Sequence, residues 1–310
     1  MKLFDLHCDT ALELWLQKQP LCDNSLHVSL KKTAPYEAYV QIAAVWSDRR
    51  LDDEAAWRQY LAVSDAFAAE IARTPGARLA ADAASIAADA AAGERVFVPA
   101  VEDARLLGGD LSRLDTLSAR GVRILTLLWG GESNIGGAHD TAAPLTPFGR
   151  EVVRRCFSLG ITPDVSHASR AAADEILSLA EAAGRPAVAS HSNSYAVFPH
   201  PRNLTDAEFA RIAALGGVVG ISLAPMHLTD GPCTADTVAE HVLHDLALGG
   251  EDVLCLGCDF DGIPAAPEGL GDVSRLGTLA DALASRGVPP RVVDKIFFEN
   301  AFRFAQRNFV

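Results

Sequence analysis

Along the chain, short apolar runs alternate with longer stretches whose apolar positions recur every three to four residues. The short runs are read as buried strands near Leu3–His7, Val40–Trp46, Val96–Val101, Val122–Leu127, Ile161–Val165, Ala187–Ser190, Gly217–Ser222 and Val253–Cys258. Between them, helical spacing predicts helices over Asp53–Arg73, Pro147–Leu159, Arg170–Ala183, Thr205–Leu215 and Thr234–Leu248. Ser169 and Thr205 supply start signals, and Gly160, Gly184, Gly216 and Gly249 supply stops.

Eight strands alternating with helices predict an α/β chain: a (β/α)8 TIM-type barrel forming a single domain over residues 1–310, with an open doubly wound sheet as the competing arrangement. The two differ in where polar side chains gather. An open sheet holds its ligand at one switch point, whereas a barrel collects residues from many strand C-termini around one mouth. In the long connection from Ser47 to Arg95, the Ala-rich stretch Leu79–Ala92 is read as a second surface helix, because Asp82 and Asp89 interrupt it regularly.

The predicted strand ends carry one kind of chemistry. His7 and Asp9 follow the first strand, Glu102 the third, His167 the fifth, His191 the sixth and Asp259 the eighth. In an extended segment His7 and Asp9 share a face while Cys8 points away. A lone His-x-Asp is usually a strand end meeting water. Three of the nine histidines at such ends, with three acids at equivalent places, are harder to obtain that way. Imidazoles and carboxylates suit zinc or a similar divalent ion. His7, Asp9, Glu102, His167 and His191 suffice for two ions if one carboxylate is shared, and Glu102 is the candidate bridge because it falls between the two pairs in strand order. Two ions about 3.5–4 Å apart lower the pKa of a shared water and polarise a carbonyl, which points to metal-assisted hydrolysis.

Composition narrows the partners. With 49% hydrophobic residues the chain has ample core material, and a formal charge of -13 argues against nucleic acid or an anionic membrane surface as partner. No apolar run is long enough to span a bilayer, and Asp5, His7, Asp9 and Glu13 break any secretory signal core, so a cytoplasmic location is expected. The six cysteines are scattered, which fits reduced thiols. Cys255 and Cys258 have CxxC spacing, but in a strand that spacing puts the thiols on opposite faces.

The segments DLHCDT, VPAVED, LTPFGREVVRRCFSLGITPDVSHAS, AVASHSNSYAVFPHPRNLTD and LGCDFDG, in this order, resemble the membrane dipeptidase (renal dipeptidase-like) family. The similarity runs from residue 3 to about Asn300, where Asn300 and Arg303 look like the family's closing Asn-x-x-Arg helix. The resemblance implies a (β/α)8 barrel with two zinc ions, one bound by His7, Asp9 and Glu102 and the other by Glu102, His167 and His191. It implies that Asp259 is the acid/base residue and that Arg202 holds the terminal carboxylate of the substrate, a task suited to a planar guanidinium fork. The implied activity is zinc-dependent dipeptide hydrolysis by a hydroxide shared between the metals, with tolerance of a C-terminal D-residue. A homodimer is the implied assembly.

One departure bears on substrate choice. The best-known family members carry a histidine after the fourth strand, where this chain has Trp129. Trp129 is therefore read as a substrate-contacting residue of a subgroup with altered specificity, with His139 a less favoured replacement. It keeps open a related amidohydrolase acting on another small amide or lactam. A noncatalytic metal or amino-acid binder is disfavoured, since a binder needs no proton carrier at Asp259. His200 and His227 are read as pocket-lining candidates, His241 and His244 as an exposed helix face, and His27 is given no role.

Overall fold

The uninterrupted apolar runs form strands buried on both faces, as a parallel sheet covered by helices requires. The computed structural model describes residues 1–310. Its strands are β1 (Leu3–Cys8), β2 (Tyr39–Trp46), β3 (Ala77–Leu79), β4 (Arg95–Glu102), β5 (Ile124–Thr126), β6 (Thr162–Asp164), β7 (Val219–Ile221) and β8 (Leu254–Leu256). All pairings are parallel, in the order β6-β5-β4-β2-β1-β8-β7, so the first strand lies beside the last.

The predicted sixth strand, Ala187–Ser190, is reduced to single bridges, Asp164 to Val188 and Ala189 to Val219. These span the gap between β6 and β7 and complete the barrel. The ladder is short because the Ser190 N–H donates to Asp164 Oδ1 (2.9 Å) in place of a strand carbonyl. A second departure lies at Leu79, which belongs to β3 at the outer edge of β4. The helix begins only at Ala83 and runs to Ala91, with the Asp82 carboxylate accepting the Ser85 N–H at 2.9 Å. Asp82 is a cap, not an interruption.

Two apolar layers hold the architecture. The inner one includes Phe4, Leu6, Val40, Ile42, Val96, Val98, Ile124 and Cys255, while a shell of 72 buried residues, Cys258 among them, lies between sheet and helices. The two thiols thus occupy opposite faces. Phe298, Phe304 and Phe309 of the C-terminal helical segment join the inner layer, with Phe298 6.4 Å from Phe4 between ring centroids. Each fully buried aromatic contributes about 1.5–3 kcal/mol through removal from water. Asn300 fastens this segment by donating to the carbonyls of Leu254 (2.7 Å) and Glu251 (3.0 Å). The N-terminal end of the barrel is thereby plugged, and the C-terminal end is left as the mouth. No helix is long and apolar enough to cross a membrane.

Candidate metal centre and substrate cavity

His7 reaches the mouth through a defect in β1. Phe4 and Leu6 face the inner layer, yet Cys8 faces the outer one, and the register slips between Asp5 and Cys8, where three steps on β1 match two on β2. This one-residue bulge re-aims His7. Asp5 pins it: the buried carboxylate Oδ1 accepts the N–H of His7 (3.2 Å) and of Cys258 (2.9 Å). His7 and Asp9 do come to one side, 3.6 Å apart, with Cys8 turned into the outer layer, but the bulge and a turn bring this about and not regular alternation along the strand. Asp9 has already left the strand and stands at the N-cap of α1 (Thr10–Gln17).

Across the mouth, Asp164 uses the same device, accepting the N–H of Ser166 and Ser190 at 2.9 Å each. Strain accumulates around the same rim. Asp103, His167, Asp259 and Asp261 have φ of 78°, 69°, 61° and 68°, in the left-handed region that residues other than glycine seldom occupy. Such conformations persist only where surrounding bonds over-determine them. The Asp259 N–H donates to His7 O (3.1 Å) and the Asp9 N–H to Phe260 O (2.9 Å), lacing the two segments together. Gly262 completes the fit, since a Cβ there would lie 2.2 Å from Asp9 Oδ2.

The five proposed ligands converge. Glu102 Oε1 lies 2.9 Å from His167 Nε2 and 3.4 Å from His191 Nε2, while its Oε2 lies 3.7 Å from His7 Nε2. His7 Nε2 is 3.6 Å from Asp9 Oδ2 and 3.9 Å from Asp259 Oδ1. Two ligand sets therefore share one carboxylate, each through a different oxygen. Ligand atoms about 2.0–2.2 Å from one tetrahedral ion lie roughly 3.3–3.6 Å apart, so these spacings suit a metal.

Tautomers sharpen the test of fit. His167 Nδ1–H donates to the Trp129 carbonyl (2.9 Å), and His191 Nδ1–H donates to Ser190 Oγ (2.7 Å), which leaves both Nε2 atoms as lone pairs. Yet those two atoms face each other at 2.9 Å. Two lone pairs in that position repel unless a cation lies between them. His7 Nε2 and Asp9 Oδ1 are likewise buried without a hydrogen-bond partner. The donor set fits divalent metal better than it fits a closed hydrogen-bond network.

Burial dominates the electrostatics of the site. It pushes the Asp259 carboxyl well above the usual range, opposed by His7 and reinforced by Asp9 and Glu102. Burial would also raise Glu102, but His7 and the imidazole bonds hold it well below the usual carboxylate range. His167 is pushed down to about 3 by burial and the nearby Arg202 cation. Neutral His167 and His191 beside an ionised Glu102 are the protonation states that metal ligation requires. Burial would lower His7, but Glu102 and Asp9 hold its imidazole well above the usual range, so metal binding there releases a proton.

Arg202 is buried, and its Nη2 donates to His191 O at 3.1 Å, while Nε and Nη1 have no partner. The surface salt bridge that is the ordinary role of such an arginine is absent. His200 accepts the Arg202 N–H at 3.2 Å and packs against His227 with ring centroids 4.7 Å apart. The His139 ring lies 5.7 Å from that of His167. Trp129 and Trp46, 4.8 Å apart between ring centroids, line a cavity of about 150 Å³ together with Glu102, His167 and Asp259.

Two expectations about other histidines are corrected. His241 is buried, not exposed: Nδ1 accepts the Ser194 N–H and Nε2–H donates to Leu228 O, both at 3.1 Å. His244 instead pairs with Asp206 at 3.0 Å. His27, given no role from sequence, accepts the Asp261 N–H (2.8 Å) and donates its own N–H to Asp261 Oδ1 (2.5 Å). Thr10 adds a bond to Asp261 Oδ2 at 2.6 Å, so Asp261 braces the turn that carries Asp259. Asp164, Ser190 and His27 escape sequence reading because their roles rest on contacts across the barrel; the only local signal is that Ser190 precedes a ligand.

Residues 1–308 match the family described as Membrane dipeptidase (Peptidase family M19). A dipeptidase of Claviceps purpurea is 35% identical over 203 residues, which cover 64% of this chain and 47% of that protein; the chain spans about half the length of this relative. A crystal structure of a metallopeptidase called dipeptidase AC superposes with a TM-score of 0.91 at 26% identity, over 100% of this chain and 99% of the other. A metallopeptidase from Rhodobacter sphaeroides, liganded with a phosphinate mimic of the dipeptide L-Ala-D-Ala, gives a TM-score of 0.91 at 26% identity over 99% of each chain.

Proposed function

Because the chain belongs to the membrane dipeptidase family, we propose that it hydrolyses the peptide bond of short dipeptides at a centre of two zinc ions. His7, Asp9 and Glu102 would hold one ion and Glu102, His167 and His191 the other. The observation that carries this reading is the division of Glu102, whose two oxygens face different ligand sets. Residues 1–310 are read as one catalytic domain, and the six unbridged cysteines support a cytoplasmic location.

When bound, the ions would supply an activated water and polarise the scissile carbonyl. The chain's own residues would do the rest. Asp259 stands 3.9 Å from His7 and lines the cavity, where as a carboxylate it would take a proton from the attacking water and, once protonated, deliver it to the leaving amine. Arg202, with two unpaired N–H groups, would receive the C-terminal carboxylate of the substrate in a bidentate grip. That grip lies one residue beyond the scissile bond, so the substrate would be short. Trp129 and Trp46 would exclude water from the reacting bond. The mimic carried by the Rhodobacter sphaeroides protein supports a D-residue at the C-terminal position.

The test is metal content and, on the same sample, turnover of a panel of L,L and L,D dipeptides. About two zinc ions per chain with turnover is expected. Two ions without turnover would move the reading to another small amide or lactam. Lack of stoichiometric metal after reconstitution would overturn the centre itself.

A further inference from the structure

Five carboxylates line the mouth cavity, and four of them are already engaged. Asp9 and Glu102 belong to the ligand sets, Asp259 faces His7, and Asp261 is satisfied by Thr10 and His27. Glu13 is the exception. It forms no ion pair within the chain, and its one side-chain bond comes from the neutral amide of Gln17 at 2.6 Å. Its placement is set by the metal centre. The Glu13 N–H donates to Asp9 O at 3.1 Å, so the two residues are one turn apart on α1, a spacing that puts both side chains on one face. Glu13 also borders a second groove beside the cavity, lined by Ser25, Leu26, His27 and Ile263.

Opposite charges flank the candidate metal site. Arg202, buried outside the cavity lining, is anchored to the carbonyl of His191, a neighbour of His167 and Glu102, whereas Glu13 lines the cavity one turn from Asp9. Trp46 and Trp129 stand in the same cavity as Glu13 and offer aromatic surfaces that attract a cation. A dipeptide at neutral pH carries a carboxylate at one end and an ammonium at the other.

Resting on the dipeptidase reading above, we propose that Glu13, assisted by Trp46 and Trp129, binds the free α-ammonium group of the substrate. The carboxylate supplies the counter-charge where the chain supplies none. Its position between the cavity and the outer groove also restricts the enzyme to peptides with an unblocked N-terminus: an acylated nitrogen brings no charge to Glu13 and forces its acyl group past it. Glu13 is a specificity residue, outside the metal ligands.

The experiment compares kcat/KM for L-Ala-L-Ala and L-Ala-D-Ala with that for their N-acetyl forms, in zinc-loaded wild type and in Glu13→Gln, with zinc content measured on both. Wild type should favour the free dipeptides at least tenfold. In Glu13→Gln that preference should collapse, through a rise of tenfold or more in KM for the free dipeptides, with two zinc ions retained. An equal loss on free and acetylated substrates, or an unchanged preference, would overturn the role of Glu13 while leaving the dipeptidase reading intact. Wild type that cleaves none of the four would overturn that reading and this inference with it.

Discussion

The Nδ1–H of His191 donates to the hydroxyl of Ser190 at 2.7 Å, and that hydroxyl donates in turn to Asp164 Oδ2 at 2.5 Å. Asp164 is further held by the Thr126 hydroxyl at 2.6 Å. The chain of bonds fixes the imidazole as the tautomer whose Nε2 faces Glu102 and His167. Ser190→Ala should therefore weaken zinc binding by about 10–100-fold, the usual cost of losing such an outer partner. Competition with a chromophoric chelator would show it, and wild-type affinity in the variant would mean that the hydroxyl does not orient the ring.

Asp259→Asn keeps the shape of the side chain and removes its proton transfer. Turnover should fall by about 10²–10⁴-fold, the range for a lost general acid–base group. Zinc content should stay at about two per chain. Single-turnover kinetics at saturating dipeptide would read the fall, and unaltered kcat would remove Asp259 from the reaction.

Arg202→Lys keeps the charge but replaces a planar fork by a point charge on a flexible stem. The loss should be mainly in KM, by about 10–100-fold, because a charged hydrogen bond of about 1.5–3 kcal/mol is removed from the bound substrate. Its counterpart is a dipeptide amide, on which wild type and variant should differ little. An equal fall on both substrates would point to a structural role for Arg202 in holding His191.

Asp245 lies buried in the helix Ala235–Ala247, and burial pushes its carboxyl from 3.8 up to about 7, with His244 opposing and Asp206 adding to the effect. Between those two values the unfolded chain releases a proton that the folded chain retains. Folding stability contributed by this group therefore falls as pH rises from about 4 to about 7 and levels off above that. Asp245→Asn should be more stable than wild type at pH 8, by a gain on the order of 1–3 kcal/mol, and no more stable at pH 4. Urea midpoints at several pH values would check this; a pH-independent difference would mean that Asp245 does not titrate in the window.

Much of this molecule is legible in its order of residues. Short apolar runs mark seven of the barrel staves and the period-3.6 pattern the main helices, and the polar residues at strand ends meet in one place, because a barrel converts strand order into angular position around its mouth. The rest depends on contacts between distant segments. Ala187–Ser190 reads as a strand, yet its ladder yields to Asp164, a residue 26 positions before Ser190. The bulge in β1 reads as ordinary alternation, because a slip of one residue leaves no mark in an apolar run. His241 sits at polar helical spacing, but the carbonyl of Leu228 and the amide of Ser194 draw it inside. Such partners are invisible to any local window.

The aromatic plug at the base of the barrel has a consequence for synthesis. Phe4 waits for Phe298, and the inner layer is completed only by Phe304 and Phe309, so the first strand and the last helix depend on each other. A growing chain presents His7 and Asp9 long before Glu102, His167, His191 and Asp259 exist to meet them. The candidate metal site is thus assembled from segments far apart in sequence, and it closes only when these long-range contacts form.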